Sequence, residues 1–544
     1  MNASPLERIK KAIESEVFVT QKKERIIPEN SSWLMDFRRI SLDPHFLDDY
    51  TEVFYERFKD ELPFQVGGME VAAIPLVSAI VMKMREKGRP VNGFFIRKSR
   101  KKTGLLKMVE GRLTNDPIIL VDDLMNNGYT FDRQVAVLEE TKVPVKMLFT
   151  ILRFRENEAY QRFMDRGIQV ESLFTLADFK QTLVLDTLPP RGDETLQPFE
   201  KEWFFKSHDP HLEVVLAKSG IALDEERLYF GSDRGVLWAL HQGDGKIAWQ
   251  YQVGLSANVK GKEIFSTPAL YNRRVYFGAY DGNVYCLDAK TGKRCWVSFA
   301  ADWVHGGIAI APELGLLFVP MMFGLRGKQG GLAALGLKDG KTKWRVTLTA
   351  AMYGTPLYVP EEKKLFAGGE DGTLFALNAE NGKILWSFKT GGAIKESPAY
   401  DARSRAIIFS SFDGNVYTLS SETGLLIWKF ENGGANYSSP YIQENKVYVA
   451  SLDKEVYCLN LKDGTRQWSF STRARIFAAP RMYDNRLYLG SNDARLYEID
   501  PHSGKQIGFF QAVERITNPV VLLPDGRLLL QTYANEIYCL KRKD

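Results

Sequence analysis

Cysteine is scarce. The 544 residues hold only Cys286, Cys295, Cys458 and Cys539. These fall in no CxxC or metal-ligand spacing, which excludes a zinc ribbon or a dense disulfide framework. Free, mostly buried thiols are expected, as suits a reducing compartment. Long apolar runs are also missing. No stretch of about 18 apolar residues occurs, so no membrane partner or membrane-spanning helix is expected. The first residues, MNASPLERIKKAIESE, lack the apolar core of a secretion signal and pattern as an amphipathic helix. A cytoplasmic location is the expectation. Neither sign of charge is in large excess. The 72 Lys and Arg against 67 Asp and Glu leave +5, too little at this length to argue for a nucleic-acid partner.

What is present is a chain too long for one core. Its composition changes twice, and predicts a first domain over 1–180, a linker over 181–200 and a second domain over 201–544. The first domain centres on PIILVDDLMNNGYT, Pro117 to Thr130. Ile118 to Val121 reads as a strand buried on both faces of a parallel sheet. Asp122 and Asp123 follow, then the loop Asn126-Asn127-Gly128-Tyr129-Thr130, then a helix over Phe131–Glu140. Loop N–H groups at a helix N-terminus suit a phosphate, and paired carboxylates suit vicinal ribose hydroxyls. The same residues would also serve an ordinary strand-to-helix turn with Asp as a cap.

Around this stretch, short strands alternate with helices. A hairpin is predicted from Val17–Thr20 and Ser31–Arg38, and helices over Phe46–Lys59 and Val71–Lys87. Strands are predicted at Phe64–Val66, Gly93–Ile96, Lys146–Leu152 and Gln169–Phe174. Gly67-Gly68-Met69-Glu70 should form a tight loop straight after its strand, where a ligand can approach the backbone. Arg97, Lys98, Arg100, Lys101 and Lys102 form a basic run that ends at Gly104. It would neutralise a departing pyrophosphate, or simply be a solvated surface. The alternation argues for a parallel sheet with helices on both faces.

In this order the motifs resemble the type I phosphoribosyltransferases, and most closely the orotate phosphoribosyltransferases. Asp122, Asp123, Leu124, Met125, Gly128 and Thr130 match the phosphoribosyl-pyrophosphate (PRPP) motif; Asn126 and Asn127 stand where the family has Thr or Ser. Trp33, Asp36 and Arg38 match the end of the substrate hood, with Leu34 replacing an aromatic. Val66–Pro75 is similar to the pyrophosphate loop and its helix. Arg97, Lys98, Lys101 and Gly104 match the catalytic loop, whose His position is Thr103. Glu110-Gly111 matches the pair after that loop. Arg155 stands at a base-contacting Arg, although Phe154 replaces the preceding Asp. The resemblance implies PRPP contacts from Gly67, Gly68, Met69, Glu70, Asp122, Asp123, Asn126, Asn127, Gly128, Tyr129 and Thr130. It implies catalytic roles for Arg97, Lys98, Lys101, Asp122 and Asp123, and base contacts from Trp33 and Arg155. It further implies Mg²⁺ held mainly by PRPP, a nucleobase co-substrate, orotate-like in the first instance, and a homodimer.

From about Lys201 the chain repeats itself. Turn glycines recur at Gly245, Gly292, Gly340, Gly382, Gly424, Gly464 and Gly504, between 40 and 48 residues apart, the period of four-stranded propeller blades. Trp249, Trp296, Trp344, Trp386, Trp428 and Trp468 each follow four residues later, while the seventh unit has Gly508 there. They are expected to pack between blades. An eighth unit, Leu528–Leu540, stops before its Trp strand, and Glu202-Trp203-Phe204-Phe205 has the look of the missing piece. An all-β, eight-bladed propeller closed by an early strand is therefore expected. The repeats resemble the PQQ-like propellers of quinoprotein dehydrogenases and of an outer-membrane assembly lipoprotein. No adjacent Cys-Cys pair occurs, so pyrroloquinoline quinone is not an expected cofactor. A propeller of this kind usually presents a rigid face to a partner protein.

Two functions fit. One is Mg²⁺-dependent phosphoribosyl transfer beside an interaction platform. The other is a weak or inactive PRPP or nucleotide sensor signalling through the propeller, for which Thr103 and Asn126-Asn127 argue. A place in stress or defence is suggested only by the fusion. A quinoprotein dehydrogenase, the third class, would carry a redox cofactor.

Overall fold

The computed structural model describes residues 3–19, 34–97, 108–126, 128–139, 141–179, 198–206, 219–254, 262–323 and 329–543. The chain divides into two compact units, Met1–Gln197 and Pro198–Asp544.

The first unit opens with α1 (Pro5–Ala12), started by a capping box in which Ser4 and Glu7 bond reciprocally. A two-stranded hairpin pairs β1 (Phe18–Val19) with β2 (Leu34–Met35). The helix α2 (Pro44–Phe58) begins on Asp43, whose carboxylate accepts from the Phe46 N–H at 2.8 Å. Six strands then form one sheet: β3 (Gln65–Met69), β4 (Asn92–Ile96), β5 (Val109–Gly111), β6 (Ile118–Met125), β7 (Val145–Arg153) and β8 (Gln169–Thr175), in the order β5-β4-β3-β6-β7-β8. All pairings are parallel except that of the edge strand β5 with β4. The helix α3 (Ala73–Glu86) joins β3 to β4, and α4 (Tyr129–Glu139) follows β6. Ile118 to Val121 are fully buried, as expected of a strand covered on both faces. Under them Phe54, Phe58, Phe64 and Phe149 form an edge-to-face aromatic cluster.

Two details differ from the sequence expectation. Gly67 and Gly68 do not form a loop after β3; they are its third and fourth residues, because pairing with β4 continues through Gly67↔Phe94 and Gly68↔Phe95. A Cβ on Gly67 would strike the Phe94 ring at 2.1 Å, and one on Gly68 would lie 2.5 Å from the Val121 carbonyl oxygen. Likewise Asp122 and Asp123 lie inside β6, since the ladder to β7 runs on through Asp122↔Thr150 to Met125↔Arg153.

The second unit is an eight-bladed propeller of four-stranded antiparallel sheets. The eighth blade combines Val521–Leu522, Leu528–Gln531 and Glu536–Arg542 with the early strand β9 (Phe199–Lys206), in which Trp203 stands opposite Cys539. Each tryptophan joins its blade to the next. Trp249, Trp296, Trp344, Trp386, Trp428 and Trp468 donate from Nε1 to the carbonyls of Ala289, Leu337, Ala379, Ser421, Leu461 and Pro501 at 2.9–3.3 Å. Each ring also covers the turn glycine of the following blade. The buried Cys286, Cys458 and Cys539 sit opposite Trp296, Trp468 and Trp203, where other blades have Ala or Thr. In the seventh blade this pair becomes Glu498 and Gly508.

Candidate active site

The parallel register brings the ends of β4, β3, β6 and β7 to one edge of the sheet. From that edge leave Arg97, Glu70, the loop after Met125, and Arg155. The chain order reverses between β3 and β6, and a crevice outside the carboxyl ends of strands at such a switch is the usual ligand site of an open α/β sheet. Here β6 pairs with β3 only as far as Leu120, while its other side stays paired through Met125. The acid pair therefore lies where the two strands part.

Asp122 is buried, and its Oδ1 accepts from the Asp123 N–H at 3.0 Å. Asp123 accepts from the Leu124 N–H at 2.7 Å. Burial raises the Asp123 carboxyl above its ordinary range, and the Asp36 carboxylate of the hairpin segment adds to the rise. Asp36 itself is held low by Arg38, whose Nε donates to it at 2.7 Å. Arg38 in turn is held charged by Asp36 and, more weakly, by Asp123. The hood residues Asp36 and Arg38 thus belong electrostatically to the acid pair.

Gly128 adopts φ +76°, and a Cβ there would meet Phe163 at 2.8 Å and the Arg162 guanidinium at 3.0 Å. Only glycine suits both conditions. The first turn of α4 begins at once, with Thr130 exposed. Behind this turn Arg162 and Asp132 form a buried ion pair, Nε to Oδ1 2.9 Å and Nη2 to Oδ2 3.1 Å. On the β3 side, Met69 is buried, the Glu70 N–H donates to the Ile96 carbonyl at 2.9 Å, and the Glu70–Val71 peptide is cis. Arg97 donates through its backbone to Met108 and lies 3.3 Å from Glu110. Trp33, Lys98, Lys101, Thr103, Gly104 and Asn127 lie outside the described residues, as does the Tyr129 side chain.

The N-terminal region is similar to orotate phosphoribosyltransferases of Bradyrhizobium sp. strain ORS 278 (30% identical over 155 residues) and strain BTAi1 / ATCC BAA-1182 (31% over 155 residues), in each case 27% of this chain and 83% of the relative. That of Methanosphaera stadtmanae is 25% identical over 154 residues, 28% of this chain and 83% of the relative. The chain belongs to the orotate phosphoribosyltransferase family. In the second unit, the family described as "Outer membrane protein assembly factor BamB" matches residues 200–302, and "Beta-alanine-activating enzyme, beta-propeller" matches 327–544. The solved structure of BamB from Moraxella catarrhalis aligns with TM-score 0.52 at 18% identity, over 63% of this chain and 99% of that one. A europium-containing methanol dehydrogenase aligns with TM-score 0.55 at 14% identity, over 63% and 93%. At these identities the likeness is one of fold.

This member of the orotate phosphoribosyltransferase family has site features that motif reading missed. Arg155 Nε donates to the Asn126 side-chain oxygen at 3.2 Å, so one departure from the family motif is engaged by a base-contact candidate. Tyr160 ties the same two segments. Its hydroxyl donates to the Asn126 carbonyl at 2.8 Å, and the Arg155 N–H lies 3.3 Å from its oxygen. Tyr50 is buried, its hydroxyl has no partner, and burial together with the Asp122 carboxylate raises its pKa. Nothing in the local sequence of Tyr160 or Tyr50 marks them; only the fold brings Tyr160 to the loop and Tyr50 near Asp122. Among the described residues, no group of three His, Cys, Asp or Glu gathers to hold a metal ion, and no helix is long and apolar enough to cross a membrane.

Proposed function

We propose that the first unit transfers a phosphoribosyl group between PRPP and a nucleobase, with an orotate-like pyrimidine as the first candidate. The observation that carries this reading is the shared sheet edge, where Glu70, Arg97, the acid pair and Arg155 emerge around the β3–β6 switch point. In the forward direction a base nitrogen forms a bond to the ribose anomeric carbon while the bond to pyrophosphate oxygen breaks. Asp122 and Asp123 accept from the ribose hydroxyls. Asn126, Asn127, Gly128, Tyr129 and Thr130 hold the 5′-phosphate at the α4 N-terminus. The segment that leaves β3 at Glu70 takes the pyrophosphate, with Arg97, Lys98 and Lys101 neutralising its charge. Trp33 and Arg155 face the base. Among the described residues the paired carboxylates gather no third ligand of their kind, which fits a magnesium ion bound mainly through the ligand's phosphates and water; such an ion would neutralise charge on the leaving group. The propeller serves as a platform for a partner protein.

The test is pyrophosphate release from PRPP and Mg²⁺ against a panel of bases, with Asp123→Asn as control. Release that depends on one base and is lost in the control supports the enzyme. A sensor is the second reading, favoured by Asn126, whose side chain is engaged by Arg155, and by Thr103, which cannot act as an acid near neutral pH. It predicts PRPP binding by calorimetry with no release on any base.

A further inference from the structure

A cavity of about 470 Å³ lies on the propeller axis, lined by residues from all eight blades. Most of its wall is neutral: glycines, hydroxyls and the rings of Phe265, Tyr353 and Phe477. Two side chains of opposite charge break that pattern. Glu396 enters from the fifth blade and Arg481 from the seventh.

Neither has a charged partner. The Glu396 carboxylate has one hydrogen bond, from Ser439 at 3.3 Å. Arg481 donates to the Pro480 carbonyl at 2.9 Å and lies over the Tyr441 ring at 5.6 Å. The two form no ion pair with each other, although each feels the other's charge. Both pay for burial: the Glu396 carboxyl is pushed up to about 7, and the Arg481 guanidinium is lowered. Both side chains are half-buried on the cavity wall, and without an ion-pair partner there neither gains what a paired couple would; a counter-charge from a ligand would favour the ionised form of each. Two opposite charges that line one cavity without pairing with each other are complementary to a molecule that carries the inverse pair.

We propose that this cavity is a binding site for a small amino-carboxylate zwitterion, its carboxylate on Arg481 and its ammonium on Glu396. Such a ligand gives each side chain the counter-charge that the protein withholds. Its short carbon chain would pack against the aromatic wall. A plain carboxylic acid would leave Glu396 unpaired, and a plain amine would leave Arg481 unpaired.

The test is calorimetry on the full chain with glycine, β-alanine, γ-aminobutyrate and ε-aminocaproate, using butyrate and butylamine as single-charge controls. One chain length should bind best, and both controls should bind at least about tenfold more weakly, as the loss of one charged hydrogen-bonding partner implies. Glu396→Gln and Arg481→Leu should each weaken the best probe by a similar factor, with melting temperature reporting that each variant is folded. If Arg481→Leu fails to fold, Glu396→Gln carries the test. Saturating PRPP should leave the heat unchanged. The proposal is overturned if no probe binds up to about 10 mM, if a single-charge control binds as well as the best zwitterion, or if a folded variant binds like the parent.

Discussion

The indole of Trp203 covers Gly245. A Cβ on that glycine would fall 2.4 Å from the ring, and Trp203 Nε1 donates to the Gln242 carbonyl at 3.1 Å. The contact is the same one that six other tryptophans make, but here it joins the eighth blade to the first and closes the ring. Gly245 also sits at φ +68°, which a side chain would strain. Trp203→Ala removes a large inter-blade contact and one hydrogen bond, so it should lower propeller stability by about 3 kcal/mol. Gly245→Val should be at least as damaging. Urea unfolding followed by circular dichroism reads both. A midpoint for Trp203→Ala equal to the parent's would show that closure rests on the β9 ladder alone.

Glu498 replaces the tryptophan logic at the junction of the seventh and eighth blades. It is fully buried, and its Oε1 lies 2.9 Å from Arg542 Nε and 3.1 Å from Arg486 Nε. Residue 508 opposite is glycine, and the space a side chain would need is taken: an added Cβ would meet Glu498 at 2.6 Å and Pro198 at 2.7 Å. Glu498→Ala leaves two arginines facing an empty pocket and should destabilise by about 3 kcal/mol. Gly508→Trp should be tolerated better in Glu498→Ala than alone, and a double-mutant cycle measures that coupling.

The propeller was legible because each blade repeats a strong local signal, a positive-φ glycine turn and a tryptophan four residues on, and because Trp203 carries the same signal out of place. The candidate site stood out for a different reason: the acid pair and Gly128 form a short, local and chemically unusual pattern. What failed was local too. Gly67 and Gly68 looked like a loop because glycine disfavours strands, yet the Phe94 ring and the Val121 carbonyl need the space that only glycine leaves. Tyr160, the Arg162–Asp132 pair, the Glu498–Arg542 pair and the charges of the axial cavity could not be read. Each depends on residues brought together from roughly 30 to 85 positions apart, and no local pattern encodes the meeting.

Asp123 should show a conflict between stability and binding. Burial and the nearby Asp36 carboxylate raise its carboxyl above the ordinary value. The folded state therefore holds the proton more tightly than the unfolded one, and stability falls as pH rises from the unfolded value through the raised folded value. Above that window the charge is a liability to the empty protein. Asp123→Asn removes it and retains an oxygen for the Leu124 N–H. At neutral pH the ligand-free variant should melt higher than the parent in its first unit, yet gain no protection from PRPP and lose about 100-fold or more in turnover. Differential scanning calorimetry with and without PRPP checks both halves.

The catalytic-loop departure has a direct test. A histidine can carry a proton or a charge near neutral pH, and a threonine can do neither. Thr103→His should raise turnover at least about tenfold if the first unit is an enzyme. Unchanged turnover in a variant that still binds PRPP would move the weight to the sensor.

The contact between Arg155 and Asn126 joins the residue proposed to face the base to the loop proposed to hold the 5′-phosphate. The Asn126 oxygen accepts from Arg155 Nε, and Tyr160 braces the same two segments through the Asn126 carbonyl. Asn126→Ala releases the guanidinium and leaves the backbone brace in place. It should raise KM for the base several-fold with little change in KM for PRPP. Tyr160→Phe keeps the ring and the Arg155–Asn126 side-chain contact but removes the hydroxyl that holds the Asn126 carbonyl and takes the weaker Arg155 N–H contact, so KM for PRPP should rise more than KM for the base. Loss of one neutral hydrogen bond is worth about 1 kcal/mol, or roughly fivefold. If both variants shift both constants equally, the two segments move as one body and Arg155 has no separate role toward the base.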